Sequence, residues 1–242
     1  MNLAIDIGNT RVKAAVFEGN KLVVIEYFKR EEISLEFKKI VKTYKITETI
    51  IANVASVSSE VLEEINKIVR LTRVNSLMKL PFTNVYATPH TLGLDRLALV
   101  FSAVLQYESQ NILIIDAGTC ITFDFVDKEK KYLGGAISPG VEMRYKSLNH
   151  FTSKLPLLDV TTPNQFIGNS TEESIHSGVV NGIVQEIDGV ISQYKNKYLD
   201  LTVVLTGGDT NFLSKQLKSS IFANQNFLLE GLNRILIFNN NK

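Results

Sequence analysis

An aspartate, a glycine and a nearby threonine follow an apolar run at two places in the sequence. Residues 3–10 read Leu-Ala-Ile-Asp-Ile-Gly-Asn-Thr, and residues 113–119 read Leu-Ile-Ile-Asp-Ala-Gly-Thr. Glycine lets an anion approach the backbone, and a carboxylate at a strand end can hold a hydrated cation that in turn holds a phosphate. Each segment alone is equally well explained as a tight hairpin that its aspartate caps. Because the pattern occurs twice, we favour a polyphosphate site built from two hairpins.

Basic residues follow the first of these segments. Arg11 and Lys13 are two positions apart in the next apolar run, so on a strand both side chains point to one face. One of them could reach a phosphate there, although a solvated strand face explains Lys13 as well. The sequence contains neither the Walker pattern, Gly-x4-Gly-Lys followed by Ser or Thr, nor the Rossmann pattern Gly-x-Gly-x-x-Gly. These two modes of phosphate binding are therefore excluded.

A carboxylate stands beside an arginine where a strongly apolar helix begins. Burial of charge is costly, so Asp95 and Arg96 need a reason to be there. One interpretation is a cap or an ion pair at the helix start. The other is a general base next to an arginine that binds a substrate carboxylate. Thr171 also needs a role, because Ser170 and Glu173 have the spacing of a capping box that leaves Thr171 unexplained.

Two glycine-rich stretches follow strands in the second half of the chain. Gly207-Gly208-Asp209 lies between a strand and a helix, where a flat ligand could lie against the backbone. A turn capped by Asp209 explains this stretch as well. Residues 134–140, Gly-Gly-Ala-Ile-Ser-Pro-Gly, are either a functional loop or only a turn.

Hydrophobic periodicity predicts the elements that position these residues. Predicted strands are residues 3–7, 11–17, 21–28, 49–54, 111–115, 121–126, 132–137 and 203–205. Predicted helices are residues 31–44, 59–70, 94–107, 141–155, 172–194, 211–217 and 227–238. Both aspartate segments are followed at once by a second strand rather than by a helix, and their aspartates are 110 residues apart in a chain of 242. We therefore expect two similar α/β halves, residues 1–108 and 109–242, that face each other.

Composition excludes several function classes. The 26 Lys and Arg residues balance 25 Asp and Glu, so a net charge of +1 creates no global field toward nucleic acid or an anionic membrane. The single cysteine predicts a reducing compartment. No apolar run approaches the roughly 20 residues of a membrane span, and the N-terminus lacks the pattern of a signal peptide. We expect a cytoplasmic protein with no nucleic-acid partner and no membrane partner.

Five motifs in one order resemble the type III pantothenate kinase family. They are Asp6-Ile-Gly-Asn-Thr-Arg-Val-Lys13, Gly93-Leu-Asp-Arg96, Asp116-Ala-Gly-Thr119, Gly134-Gly-Ala-Ile-Ser-Pro-Gly140 and Thr206-Gly-Gly-Asp209. The resemblance implies an α/β fold of two duplicated ribonuclease H-like domains, as in the actin-like ATPases, facing an interdomain cleft. It also implies ATP-dependent phosphorylation of pantothenate to 4′-phosphopantothenate, the first step of coenzyme A synthesis.

The resemblance further implies roles for individual residues. Asp95 corresponds to the catalytic base, and Asp116 to the ligand of a monovalent cation, K⁺ or NH₄⁺. ATP contacts are Asp6, Ile7, Gly8, Asn9, Thr10, Arg11, Val12, Lys13 and Thr119, with Mg²⁺ held through Asp6 and water. Pantothenate contacts are Tyr86, Gly93, Leu94, Asp95, Arg96 and Thr171. Members of the family are homodimers in which the partner subunit completes the pantothenate pocket.

Two other interpretations stay open. A non-catalytic relative could act as an accessory factor in transcription, although the three carboxylates Asp6, Asp95 and Asp116 argue against a pure binding protein. A kinase of the same fold could act on another small hydroxylated substrate, such as a sugar, or on acetate. The Gly93–Arg96 motif favours pantothenate over these only by resemblance.

Overall fold

The chain forms two compact units, each with its own β-sheet and its own core. The structure is a computed structural model that describes residues 1–8, 11–52, 57–75 and 78–240. One unit combines Met1–Gln106 with Asn226–Lys242, and the other is Tyr107–Gln225. In the described part of the chain, no helix is both long enough and apolar enough to cross a bilayer.

The elements are numbered here in chain order. The strands are β1 (Asn2–Ile7), β2 (Val12–Glu18), β3 (Lys21–Phe28), β4 (Glu48–Ala52), β5 (Arg70–Arg73), β6 (Thr83–Asn84), β7 (Asn111–Ala117), β8 (Cys120–Val126), β9 (Lys131–Pro139), β10 (Leu201–Thr206) and β11 (Phe222–Ala223). The helices are α1 (Ile33–Tyr44), α2 (Ser59–Ile68), α3 (Leu94–Gln106), α4 (Val141–His150), α5 (Thr171–His176), α6 (Gly182–Lys197), α7 (Thr210–Leu213) and α8 (Phe227–Asn240). A π-helical segment, Ser177–Asn181, joins α5 to α6.

The sheet of the first unit has the strand order β3-β2-β1-β4-β5. β1 is antiparallel to β2 and parallel to β4. Alternate residues Leu3, Ile5 and Ile7 of β1 enter a core with Phe37 of α1 and Leu62 of α2, as the two-residue period of a strand requires. Asp6 therefore points to the opposite face of the sheet from this core.

The last helix, α8, belongs to the first unit. It packs against α3, β1 and β4. The buried Asn233 side chain donates to the Gly19 carbonyl at 2.8 Å and accepts from the Asn2 side chain at 3.0 Å. The structure thus differs from the predicted division, which assigned residues 227–238 to the second half. Periodicity gives the apolar face of a helix but not the sheet that covers it.

The sheet of the second unit repeats the topology of the first. Its strands run β9-β8-β7-β10-β11 in space, with β7 antiparallel to β8 and parallel to β10. Leu113 and Ile115 of β7 pack in one core with Tyr145 of α4 and with Ile183 and Ile187 of α6. These five strands match those of the first sheet in order and in direction, so the predicted α/β fold of two duplicated ribonuclease H-like domains is confirmed.

Candidate functional site

The first aspartate hairpin joins β1 to β2. Asp6 is buried and lies directly opposite Lys13 in the antiparallel register, so both side chains share one face of the sheet. Ile7 and Val12 are buried register partners that belong to the core. Their side chains cannot contact a ligand, and only their backbone could do so. Asn9 and Thr10 of the predicted site lie outside the described residues.

Two arginines support this hairpin, Arg30 from the segment after β3 and Arg11 from the hairpin itself. The Arg30 guanidinium donates to the Gly8 carbonyl at 2.8 Å, and the Gly8 N–H donates to the Arg11 carbonyl at 3.1 Å. The Arg11 guanidinium lies 4.6 Å from the ring centroid of Tyr27, a distance typical of a cation–π contact. Sequence reasoning missed Arg30, because a lone arginine 22 positions from Gly8 carries no local signal.

The predicted acceptor residues come together at the start of α3. Asp95 lies in the first turn, and its Oδ1 accepts the Arg96 N–H at 2.8 Å. A Cβ at position 93 would overlap that oxygen, so only glycine leaves room for the carboxylate. The buried Arg96 guanidinium lies 5.6 Å from the ring centroid of Tyr86, while Leu94 is half-buried. Asp95 is the second residue of the helix, and its carboxylate satisfies an N–H of the first turn, as the interpretation at the helix start also predicts.

The second aspartate hairpin joins β7 to β8. Asp116 is half-buried, with Thr122 of β8 opposite it on one side and Thr206 of β10 on the other. Three oxygen-bearing side chains therefore form a row on one face of the sheet. The buried Thr122 hydroxyl has no hydrogen-bond partner among the described residues. Thr119 is exposed at the tip of the hairpin.

Glycines let neighbouring loops approach this second hairpin closely. A Cβ at Gly207, whose φ is +99°, would overlap the Ala117 carbonyl and Asp116 Oδ1. A Cβ at Gly140 would overlap the Gly118 carbonyl. Both predicted glycine-rich stretches, residues 134–140 and 206–209, thus lie against one hairpin, a fact that the sequence motifs alone do not give.

Asp209 carries a perturbed carboxyl group beside the same hairpin. Its N–H donates to the Ala117 carbonyl at 3.0 Å. Burial and, to a smaller extent, the nearby charge of Glu142 together raise the pKa of Asp209 from 3.8 to about 6. Asp209 occupies the N-cap position of α7, as one interpretation of the sequence predicted, but its side chain makes no cap hydrogen bond.

Thr171 lines a pocket of about 870 Å³ in the second unit. The lining residues come from α4, from the segment before α5, from α5 and from the π-helical segment; they are Arg144, Ser147, Leu148, Leu155, Gly168, Asn169, Ser170, Thr171, Ser174, Ile175, Gly178 and Val179. The Ser170 hydroxyl accepts the Glu173 N–H at 3.2 Å, as a capping residue should. The exposed Thr171 has no part in that cap and faces the pocket instead.

A second polar pair fixes the elements around this pocket. The Tyr145 hydroxyl and His176 Nδ1 share a hydrogen bond of 2.8 Å, which links α4 to α5. Burial raises the pKa of the Tyr145 hydroxyl, with a smaller opposing contribution from the Thr161 backbone. The Tyr145 side chain therefore stays neutral and serves structure rather than chemistry.

Comparison with known proteins assigns the chain to a family. The sequence model described as type III pantothenate kinase matches residues 2–193. A protein of that name from Christiangramia forsetii is 51% identical over 240 residues, covering 99% of both chains. Another from Bacteroides fragilis is 43% identical over 243 residues, covering all of both chains. This chain belongs to the type III pantothenate kinase family. Membership makes it a kinase, and the family's reaction implies ATP and a divalent metal.

Solved structures show the same fold at low identity. A Campylobacter jejuni protein, described as a candidate transcriptional activator of the Baf family, superimposes with a TM-score of 0.66 at 22% identity, covering 99% of this chain and all of its own. A ROK family glucokinase from Streptomyces griseus, solved with glucose and AMPPNP, gives 0.53 at 9% identity, covering 100% and 99%. These likenesses show the fold alone, and this chain shares the architecture of both proteins.

Proposed function

We propose that this protein transfers a phosphoryl group from ATP to pantothenate and forms 4′-phosphopantothenate, the first step of coenzyme A synthesis. The observation that carries the proposal is a pair of topologically equivalent hairpins, each with an aspartate at the same strand end, Asp6 and Asp116. A third carboxylate, Asp95, stands beside a buried arginine. Family membership supplies the substrate.

Asp6 and Lys13 hold the nucleotide at the first hairpin in this proposal. Their side chains share a sheet face, so the ammonium attracts a phosphate while the carboxylate orients the water shell of Mg²⁺. Among the described residues no cluster of three or more acidic, histidine or cysteine side chains forms a metal site. A single carboxylate, that of Asp6, suits Mg²⁺, because this ion keeps several waters and binds through one or two carboxylates plus substrate phosphates. The metal would neutralise charge that develops on the phosphates.

One difference between the two hairpins supports a monovalent cation at the second. Thr122 stands opposite Asp116 where Lys13 stands opposite Asp6. At this register position the second hairpin therefore has a hydroxyl oxygen, a group that can bind a cation, where the first hairpin has an ammonium. The buried Thr122 hydroxyl has no hydrogen-bond partner among the described residues, so its oxygen can bind a cation. Thr206 lies on the other side of Asp116. We propose that K⁺ or NH₄⁺ binds here and that Thr119 contacts ATP.

Asp95 and its neighbours hold the acceptor in this proposal. Asp95 orients the pantothenate hydroxyl and accepts its proton as the new P–O bond forms. Arg96, buried against Tyr86, attracts the pantothenate carboxylate through charge-assisted hydrogen bonds. The Asp95 carboxylate lies against Gly93, where a Cβ would overlap its Oδ1, so we propose that the Gly93 and Leu94 backbone lies beside the substrate as well. Thr171 contributes its hydroxyl from the pocket of the second unit.

Exposed apolar side chains before Thr171 support a homodimer. Phe151, Phe166 and Ile167 are 81%, 78% and 77% exposed, and Leu157 is 58% exposed. We name residues 151–167 the apolar segment. A concentration of exposed apolar surface marks a protein interface, and this one adjoins a pocket that the family completes with a second subunit.

The expected cytoplasmic location stays a prediction, which cell fractionation would test.

A coupled assay of ADP release tests the proposed function. Purified protein is given MgATP with pantothenate, glucose, N-acetylmannosamine or acetate, each with K⁺, NH₄⁺ or Na⁺ as the monovalent cation. Of the four acceptors, we expect only pantothenate to give turnover, and we expect K⁺ or NH₄⁺ to stimulate it more than Na⁺ does. Mass spectrometry should identify 4′-phosphopantothenate as the product. Turnover with another acceptor would favour a different kinase of the same fold. No turnover together with intact nucleotide binding would favour the non-catalytic relative.

A further inference from the structure

Arg144, on α4, makes hydrogen bonds to two separate parts of the second unit, the end of β9 and α6. Its Nε donates to the Pro139 carbonyl at 3.0 Å. Its Nη2 donates to the Ser138 hydroxyl at 2.9 Å and to the Glu186 carboxylate of α6 at 2.6 Å. The Arg144 and Glu186 side chains are only 22% and 30% exposed. Solvent therefore screens this pair less than the exposed pair of Lys146 and Glu142 on the same helix.

Ser138 and Pro139, the two residues of β9 that Arg144 binds, lie beside the second aspartate hairpin. Pro139 is the register partner of Cys120, and Ser138 is the partner of Ile121. The next residue, Gly140, donates its N–H to the Thr119 carbonyl at 3.1 Å, and a Cβ on Gly140 would overlap the Gly118 carbonyl. A movement of residues 138–140 would therefore displace Gly118 and Thr119.

The same arginine also borders the pocket that contains Thr171. Its guanidinium donates hydrogen bonds to Ser138, Pro139 and Glu186. The planar, fork-shaped end of the side chain therefore links the end of β9 to α6. Lysine at this position keeps the positive charge and the aliphatic stem. It cannot reproduce a planar fork that serves three acceptors.

We propose that Arg144, held by Glu186, is a positioning residue for the second hairpin and keeps Thr119 where it binds the nucleotide. The inference rests on the proposed function, since it assumes that this hairpin contacts ATP. Arg144 does not touch the reacting atoms in this proposal. It fixes the end of β9, and β9 with Gly140 fixes the hairpin.

Arg144→Lys tests the proposal by separating the two substrates. Calorimetry with AMPPNP measures the nucleotide Kd, and the ADP-release assay measures the KM for pantothenate. We expect the Kd for AMPPNP to rise at least about fivefold, as loss of charge-assisted hydrogen bonds predicts, while the pantothenate KM stays within about twofold because the stem at the pocket is kept. A general folding defect would instead raise the Kd for AMPPNP and the KM for pantothenate together.

Two further variants complete the experiment. Glu186→Gln keeps an acceptor oxygen but removes the charge, so the AMPPNP Kd should rise less than in Arg144→Lys, and the double variant should be no weaker than Arg144→Lys alone. Arg70→Lys, which changes an exposed arginine paired with Glu48 in the first unit, should change neither constant.

The outcomes separate this inference from the proposed function. An unchanged AMPPNP Kd in Arg144→Lys, or an equal rise in both constants, would overturn the positioning role even if the wild type phosphorylates pantothenate. If Arg144→Lys does not fold, Glu186→Gln decides by the same criterion. A wild type that binds AMPPNP but does not phosphorylate pantothenate would refute the proposed function and leave the nucleotide measurement valid. A wild type that binds no AMPPNP would refute both.

Discussion

Asp95 and Asp209 are both half-buried aspartates, and their surroundings give them different tasks. Asp95 accepts the N–H of the residue that follows it, and its carboxylate lies in the space that the absent side chain of Gly93 leaves. Asp209 is desolvated and faces the charge of Glu142, which raises its pKa. The first environment keeps a carboxylate available to a substrate. The second makes the ionised carboxylate unfavourable. Asp95 is therefore tested by catalytic activity and Asp209 by the pH dependence of stability.

Asp95→Asn should remove most of the activity without unfolding the protein. The amide cannot accept the hydroxyl proton, so we expect kcat to fall at least about 100-fold, the lower range for general-base catalysis. The Kd for AMPPNP should stay within about twofold, because Asp95 contacts only the acceptor in the proposed function. Asp200→Asn, at an exposed turn with a φ of 54° that asparagine tolerates, is the matched control. Near-normal turnover in Asp95→Asn would remove Asp95 from the mechanism.

Thr171→Val should weaken pantothenate binding selectively. The substitution keeps the shape at the pocket and removes the hydroxyl, so the KM for pantothenate should rise by about 5- to 20-fold, with a smaller change for ATP. Steady-state kinetics with each substrate varied in turn measures both constants. Ser170→Ala, which removes the neighbouring helix cap, serves as the control for lost helix stability. If Thr171→Val lowered the unfolding temperature as much as Ser170→Ala, the residue would have a structural role instead.

Asp209→Asn should change how stability depends on pH. The folded-state pKa of Asp209 is raised to about 6, so protonated Asp209 stabilises the fold at low pH, and this contribution is lost as the pH rises through about 6. The neutral amide avoids that loss. We expect its unfolding midpoint to exceed that of wild type by about 2–6 °C at pH 8 and the difference to shrink between pH 6 and pH 4. Scanning calorimetry across this range checks it, and a pH-independent difference would contradict it.

At the scale of elements, two helical glycines that look alike in the sequence have opposite surroundings. Gly231 of α8 is buried, and a Cβ there would overlap the Ala98 carbonyl of α3. Gly189 of α6 has nothing within 4 Å of an added Cβ. Close packing of α8 against α3 thus depends on the first glycine, whereas the second only lowers the helix propensity of α6.

The same substitution at both glycines should therefore have opposite signs. Gly231→Ala should lower the free energy of unfolding by about 1–3 kcal/mol, because backbone must move to admit the methyl group. Gly189→Ala should raise it by about 0.5–1 kcal/mol, since alanine is the better helix former. Urea unfolding followed by circular dichroism measures both. A stabilising Gly231→Ala would mean that α8 does not pack on α3 in solution.

Element boundaries show where periodicity stops being informative. One apolar stripe predicted a single helix over residues 172–194, yet α5 and α6 are separated by the π-helical segment Ser177–Asn181. The stripe persists because both helices pack on the same core. The predicted helix 141–155 ends earlier, at His150. The four-residue strand β5 was not predicted at all, because a run so short gives no clear period and only its pairing with β4 makes it a strand.

At the scale of the whole molecule, the apolar segment requires a partner surface. Four of its large apolar side chains are more than half exposed, and each would contact water in a monomer. In the proposed homodimer a second copy covers them.

Ile167→Asp should therefore weaken the dimer. A charge introduced into a buried apolar contact should raise the dimer Kd at least about tenfold, and kcat/KM for pantothenate should fall with the loss of dimer. Sedimentation equilibrium over a range of concentrations measures the Kd. Leu199→Asp, which changes a side chain that is 83% exposed beyond α6, should leave it unchanged. A fully active wild-type monomer would contradict the homodimer.

The sequence by itself determined the duplicated α/β fold and the identity of the family. Both follow from patterns along one strand or one turn, such as Asp6 or Asp116 after an apolar run, and these patterns need only local geometry. Only the tertiary structure decided that Thr122 stands opposite Asp116 and Lys13 opposite Asp6. It also decided that Arg30 binds the Gly8 carbonyl, that Arg144 binds Glu186, and that α8 belongs to the first unit. These contacts join residues far apart in the chain, where strand register and helix packing, rather than spacing, set the distance.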